Sequence, residues 1–137
     1  YVGDVKHVDA EVLVSLISRG VVPVMAPLTH DGEGNMLNTN ADTIAGETAK
    51  ALAEAFDVTL IYCFEKKGVL RDAEDEDSVI PVITPDLFKK YVDEGVIQGG
   101  MIPKLENSFS AVEAGVSQVV ITLASAIDGK SGTIIKK

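Results

Sequence analysis

The sequence predicts an α/β fold with a largely parallel sheet. Short apolar runs bounded by turn residues alternate with segments of helical period along the chain. The helical segments carry their own start and stop signals, such as Asp9 before the first and Gly20 after it. The apolar runs are too short to be helices of the core and suit buried strands.

Taken in order, residues 2–5 read as a short strand. Asp9 caps a helix over residues 10–19, with Val12, Leu13, Leu16 and Ile17 on one face. Residues 21–26 form an apolar run that suits a buried strand, although Pro23 speaks against the sheet centre. Asp31-Gly32-Glu33-Gly34 is a turn, and residues 35–39 return as a hairpin strand. An alanine-rich helix follows over residues 41–56, with Ile44, Ala45, Leu52 and Phe56 at helical spacing. Residues 58–64 are the next buried strand, and residues 71–77 form an acidic solvated loop. Residues 78–83 read as a strand. Thr84 and Pro85 then cap and start a helix that reaches about residue 94. After Gly99-Gly100, Pro103 starts a helix to Ala114 that Gly115 stops. Residues 119–123 and 133–135 close the sheet.

The 137 residues fit one domain. A net charge of −9 argues against an electrostatic nucleic-acid binder. No apolar run approaches the roughly 20 residues of a membrane span. The one cysteine, Cys63, excludes an intrachain disulfide, and a cytoplasmic protein is expected. Tyr1-Val2-Gly3-Asp4-Val5 reads like the middle of a fold, so a piece of a longer protein is expected.

In α/β sheets, ligands sit beyond the carboxyl ends of strands. That directs attention to residues 38–42, 64–70 and 97–104. In extended chain Asn38 and Asn40 point to one side and can present two amides together. The plainer alternative makes Asn40 a helix cap and Asp42 a partner of the helix dipole. In Gly99-Gly100-Met101-Ile102-Pro103-Lys104 the glycines allow close backbone approach, and a helix start offers free N–H groups. Lys104 opposes the dipole there unless an anion answers it; the alternative is a plain surface lysine. Glu65-Lys66-Lys67-Gly68-Val69-Leu70 places two cations and a glycine past a strand, to meet phosphates or simply as a charged turn.

The remaining candidates carry less. There is no GxxxxGK[ST] or GxGxxG motif. His7 and His30 lack companions at zinc-ligand spacing, and the acidic run Asp72, Glu74, Asp75, Glu76, Asp77 lacks that of a calcium loop, so no metal site is assigned. Cys63 reads as a core residue. Ser108 and Ser110 have no base nearby in sequence.

In order, these segments resemble the C-terminal, nucleotide-binding half of the amino-acid kinase family. The residues that carry the likeness are Gly3-Asp4-Val5, the 31–42 run with its N-x-N-A-D, Gly68-Val69-Leu70, the G-M-I-x-K ending at Lys104, and Gly132-Thr133-Ile134-Ile135. The resemblance spans nearly the whole chain and is closest to members that phosphorylate N-acylglutamates. It implies a three-layer αβα architecture lacking its N-terminal half. It also implies transfer of the ATP γ-phosphoryl group, with Mg2+, to the γ-carboxylate of N-acetyl-L-glutamate or a related acylglutamate in arginine biosynthesis. By that resemblance Asn38, with Asn40 beside it, contacts the acylglutamate, Asp42 organises catalytic lysines, and Lys104 stabilises the transferring group. Glu65, Lys66, Lys67, Gly68, Val69 and Leu70, with Val96, Ile97 and Gln98, then line the nucleotide. A homo-oligomer is expected of the full-length protein. Alternatives are an aspartate, carbamate or nucleoside monophosphate kinase of the same family, or a regulatory module that binds nucleotide without catalysis.

Two departures accompany the likeness. Phe64-Glu65-Lys66-Lys67-Gly68 stands where the family usually has T-D-V-x-G, and the stretch between Leu123 and Gly132 is short.

Overall fold

A computed structural model describes residues 2–128 and 130–137; Tyr1, which opens the mid-fold motif, lies outside the described residues. Its elements, in order, are α1 (Ala10–Ser18), β1 (Leu28–His30), β2 (Met36–Asn38), α2 (Ala41–Leu52), β3 (Thr59–Phe64), β4 (Val82–Ile83), α3 (Pro85–Asp93), α4 (Met101–Glu113), β5 (Gln118–Leu123) and β6 (Thr133–Ile135). β1 and β2 form an antiparallel hairpin, and the other four strands form one sheet in the order β3-β5-β6-β4. β3 with β5 and β4 with β6 are parallel, whereas β5 with β6 is antiparallel, so the sheet is mixed and mostly parallel.

Register builds the core. Cross-strand partners share a sheet face. Leu60, Val119, Ile135 and Ile83 therefore form one row, and Tyr62, Ile121 and Thr133 the next. All seven are buried. α2 packs on β3, and α4 packs on β5 and β6. α4 contributes Leu105, Ser108, Ala111 and Val112 to the interior, while α2 contributes Gly46 and Ala49. Small residues on both helices let them approach each other closely.

The caps form as the sequence indicates. Asp9 accepts from the Val12 N–H, Asn40 from Thr43, and Thr84 from Leu87 ahead of Pro85. These bonds satisfy N–H groups that a helix start leaves unpaired.

Several boundaries differ. Residues 2–5 make one bridge, Val2 to Asn38, rather than a strand. Residues 21–26 are not a buried strand: Val22 is 82% and Val24 94% exposed. Pro23 can donate no ladder hydrogen bond, and among the described residues no strand pairs with this run. α2 ends at Leu52 rather than residue 56: the Ala53 N–H is shared between the Ala49 and Lys50 carbonyls and the Ala55 N–H bonds Leu52 three residues back, so the chain tightens out of the α-helical pattern. Of the run 78–83 only Val82 and Ile83 enter the sheet, since Pro81 interrupts the ladder and Val79 bridges Leu70 instead. α4 begins at Met101, ahead of Pro103, which a first helical turn tolerates. β3 alternates exposed and buried residues as an edge strand, which puts Cys63 on the surface rather than in the core.

Asp128 gathers hydrogen bonds ahead of β6. Asp128 takes bonds from the N–H groups of Lys130 and Ser131 and from the Ser131 hydroxyl. Those bonds, the hydroxyl's foremost, hold its carboxyl down at about 2. Gly132 precedes β6 at φ +102°, and a Cβ there would stand 2.8 Å from the Thr122 Cβ. Gly132→Ala combines a left-handed backbone with a clash in the central strand. It is expected to destabilise by about 3 kcal/mol or more, read as a lowered thermal midpoint of the full-length protein.

Candidate active site

Two helix starts meet at the site. Asn40 closes the start of α2 and leaves Asp42 in its first turn, where the dipole favours a carboxylate. Lys104 lies at the start of α4, where the dipole disfavours a cation. The fold answers this locally: Lys104 Nζ stands 2.6 Å from Asp42 Oδ2, across 62 residues of sequence. The lysine side chain is 17% exposed and the aspartate 41%, so the lysine is largely sheltered and the aspartate partly open to solvent. An ammonium held this way has further N–H donors for an incoming anion.

Tyr62 of β3 completes the cluster. Its ring centroid lies 4.9 Å from Lys104 Nζ, and its hydroxyl donates to the Asp42 main-chain carbonyl at 3.1 Å. Burial, followed by the negative charges of Asp42 and Glu47, pushes its phenol up to about 12. The hydroxyl therefore remains a donor throughout the neutral range.

Beyond the end of β3 lies a cleft of about 630 Å³. Lys66, Gly68, Val69 and Leu70 line it together with Val96 and Gln98, which brings the two expected nucleotide segments onto one cavity. Three expected residues are elsewhere. Ile97 is 2% exposed, belongs to the core and is off the cleft wall, whereas Val69, 3% exposed in the same core, reaches that wall. Glu65 is exposed and off the wall. Lys67 is paired with Asp77 at 3.0 Å, and that hydrogen bond and charge raise its pKa. Gly68 is demanded by space: a Cβ would stand 2.8 Å from the Thr133 hydroxyl, which accepts from the Val69 N–H and donates to the Ile80 carbonyl.

Met101 lines the cleft, and Lys104 follows one turn later on the same helix. Gly99 and Gly100 face open space. The helix start is less open to anions than expected, because the Met101 and Ile102 N–H groups bond the Gln98 and Gly99 carbonyls and Pro103 has none. Attraction for an anion falls chiefly to the lysine.

Asn38 and Asn40 are both exposed and flank the buried Thr39, whose hydroxyl pairs with that of Thr29 at 2.8 Å. Asn40 is the α2 cap, so the plainer reading of its amide oxygen holds; Asn38 is the amide not spent on a cap. Gly3 packs behind the hairpin, with no room for a Cβ against Thr29 and Leu37.

Sequence reasoning missed Tyr62 and Arg71. Arg71 lines the cleft, donates to the Tyr91 hydroxyl at 3.1 Å and stacks on that ring. It was hidden at the head of an acidic run. His7 and His30, distant in sequence, line one cavity of about 380 Å³ between α1, α2 and the hairpin. Ser108 is buried and donates to the Lys104 carbonyl within α4.

A sequence profile described as the amino acid kinase family matches residues 1–123. The chain belongs to the amino acid kinase family. It is 77% identical to the acetylglutamate kinase of Phocaeicola vulgatus over 137 residues, all of this chain and 53% of that protein. It is 74% identical to the acetylglutamate kinase of Bacteroides thetaiotaomicron, again over 53% of that protein. Among solved structures, smu.665 of Streptococcus mutans matches 99% of this chain and 51% of its own, with a TM-score of 0.78 and 38% identity. The chain thus spans about half the length of the curated relatives it matches, which agrees with the expectation of a piece of a longer protein.

Proposed function

We propose that the protein containing this chain transfers the γ-phosphoryl group of ATP to the γ-carboxylate of N-acetyl-L-glutamate. The chain contributes, as one domain, the C-terminal nucleotide-binding half. The observation that carries the reading is the Lys104–Asp42 pair at 2.6 Å, on a helix whose first residue touches the cleft. Two acetylglutamate kinases above 70% identity support the choice of acceptor.

In the proposed reaction, an acceptor carboxylate oxygen forms a bond to the γ-phosphorus as the bond to the β,γ-bridging oxygen breaks. ADP leaves and an acyl phosphate remains. The acceptor is already ionised near neutral pH, so no general base is needed. Phosphoryl transfer depends chiefly on positioning and charge neutralisation. Lys104 meets the charge on the transferring oxygens. Asp42 would repel phosphate and instead aims the lysine. Lys66, Gly68, Val69, Leu70, Val96 and Gln98 receive the nucleotide, and Asn38 faces the acylglutamate. Mg2+ bound with ATP would supply charge neutralisation at the phosphates. Among the described residues no group of three or more His, Cys, Asp or Glu is placed to hold a metal.

No helix among the described residues is long and apolar enough to cross a membrane. A cytoplasmic, homo-oligomeric full-length enzyme in arginine biosynthesis is part of the proposal. The test is a panel of acceptors offered to the full-length protein with Mg·ATP. N-acetyl-L-glutamate is expected to give the highest kcat/KM, above aspartate, carbamate and nucleoside monophosphates. A preference for any of those three would contradict the reading.

A further inference from the structure

Tyr62 occupies the second row of the sheet, on the side that α2 and α4 cover, and is 4% exposed. It touches both members of the lysine–aspartate pair. Its hydroxyl bonds the main chain of Asp42, which fixes the first turn of α2 and so the direction of that carboxylate. Its ring lies 4.9 Å from the Lys104 ammonium. Gly46 makes room for the hydroxyl: a Cβ there would stand 3.2 Å from it.

The chemistry of the contact matters. A second carboxylate at this place would hold the ammonium more tightly, but it would occupy another N–H and repel an incoming phosphoryl group. A neutral ring attracts the cation through its quadrupole and claims no particular N–H donor. It restrains Lys104 and occupies none of its remaining N–H donors. A leucine at position 62 would fill similar space and provide neither contact.

We propose that Tyr62 is a positioning residue for Lys104, its ring holding the ammonium and its hydroxyl locking the turn that aims Asp42. The proposal rests on the reading that Lys104 acts on the transferring phosphoryl group.

The test uses the full-length protein with Tyr62→Leu, Tyr62→Phe, Lys104→Ala and the Tyr62→Leu/Lys104→Ala double variant. Tyr62→Leu is expected to lower kcat about tenfold. KM for Mg·ATP and for acetylglutamate should stay within about twofold of the parent's. Tyr62→Phe keeps the ring and loses only the hydroxyl's hold on the Asp42 turn, so its kcat should fall about threefold, between the parent and Tyr62→Leu. In the Lys104→Ala background, Tyr62→Leu should change kcat no further, because a residue that acts through Lys104 has nothing left to act on. A merely structural tyrosine would lower kcat in both backgrounds, and that result overturns the proposal. Parent-like kcat in Tyr62→Leu overturns it as well, while a fall in Lys104→Ala leaves the lysine's own role standing. If Lys104→Ala keeps full turnover, the lysine's role fails and the proposal fails with it. Should Tyr62→Leu not fold, Tyr62→Met, of similar bulk and without a ring, replaces it with the same outcomes.

Discussion

Replacing Lys104 by Ala in the full-length protein is expected to lower kcat by about 100- to 1,000-fold and to leave the affinity for Mg·ATP nearly unchanged. The size follows from removing one preorganised charge donor aimed at a developing anion. The split between rate and affinity follows from geometry. In the resting site the ammonium is already satisfied by Asp42 at 2.6 Å and by the Tyr62 ring. Its contact with phosphate oxygens therefore counts most when charge builds during transfer. Steady-state kinetics with an equilibrium titration reads both quantities. Equal losses in rate and affinity would reduce Lys104 to an anchor for bound nucleotide. The same deletion leaves Asp42 without its cation, so a modest loss of stability accompanies it.

The isolated 137-residue chain is expected to show little or no acetylglutamate phosphorylation and to associate with itself or need its missing half. It spans 53% of the first relatives. The outer edge of β3 has no strand partner among the described residues. Next to that edge, Val58 and Leu60 share an apolar groove with Pro23, Met25 and Leu52. Val2, Val22 and Val24 are each more than 80% exposed. Open edges and contiguous apolar surface are both templates for association. Analytical sedimentation and apolar-dye fluorescence of the chain check this, and a monodisperse monomer at high concentration that binds no dye would refute it. Robust turnover by the chain alone would refute the first part.

What the sequence disclosed follows from the range of the forces involved. Helix starts depend on bonds between residues three apart, so Asp9, Asn40 and Thr84 could be recognised directly as caps. The strand runs 58–64, 119–123 and 133–135 were legible, to within a residue of β3, β5 and β6, because buried strands concentrate apolar residues. The run 21–26 has the same composition, and composition does not say whether a neighbouring strand is present to pair with it. The same blindness put Cys63 inside: an edge strand and a central one differ in what lies beside them.

At the site, the motif residues were legible one at a time. Spacing alone did not show the pairing of Asp42 with Lys104, since 62 residues separate them and only the meeting of α2 with α4 brings them together; the family resemblance alone implied that Asp42 organises lysines. Lys66 and Lys67 looked equivalent as neighbours past a strand. The turn separates them, with Lys66 on the cleft wall and Lys67 on Asp77. Tyr62 was masked because an aromatic residue in an apolar strand is usually plain core.

The distinction between those two lysines gives the most direct test of the proposed nucleotide cleft. Full-length protein would be titrated calorimetrically with Mg·ADP beside its Lys66→Ala and Lys67→Ala variants. The account predicts saturable binding that weakens about tenfold or more in Lys66→Ala and is unchanged in Lys67→Ala. Binding that ignores Lys66, or that is lost only with Lys67, would contradict it.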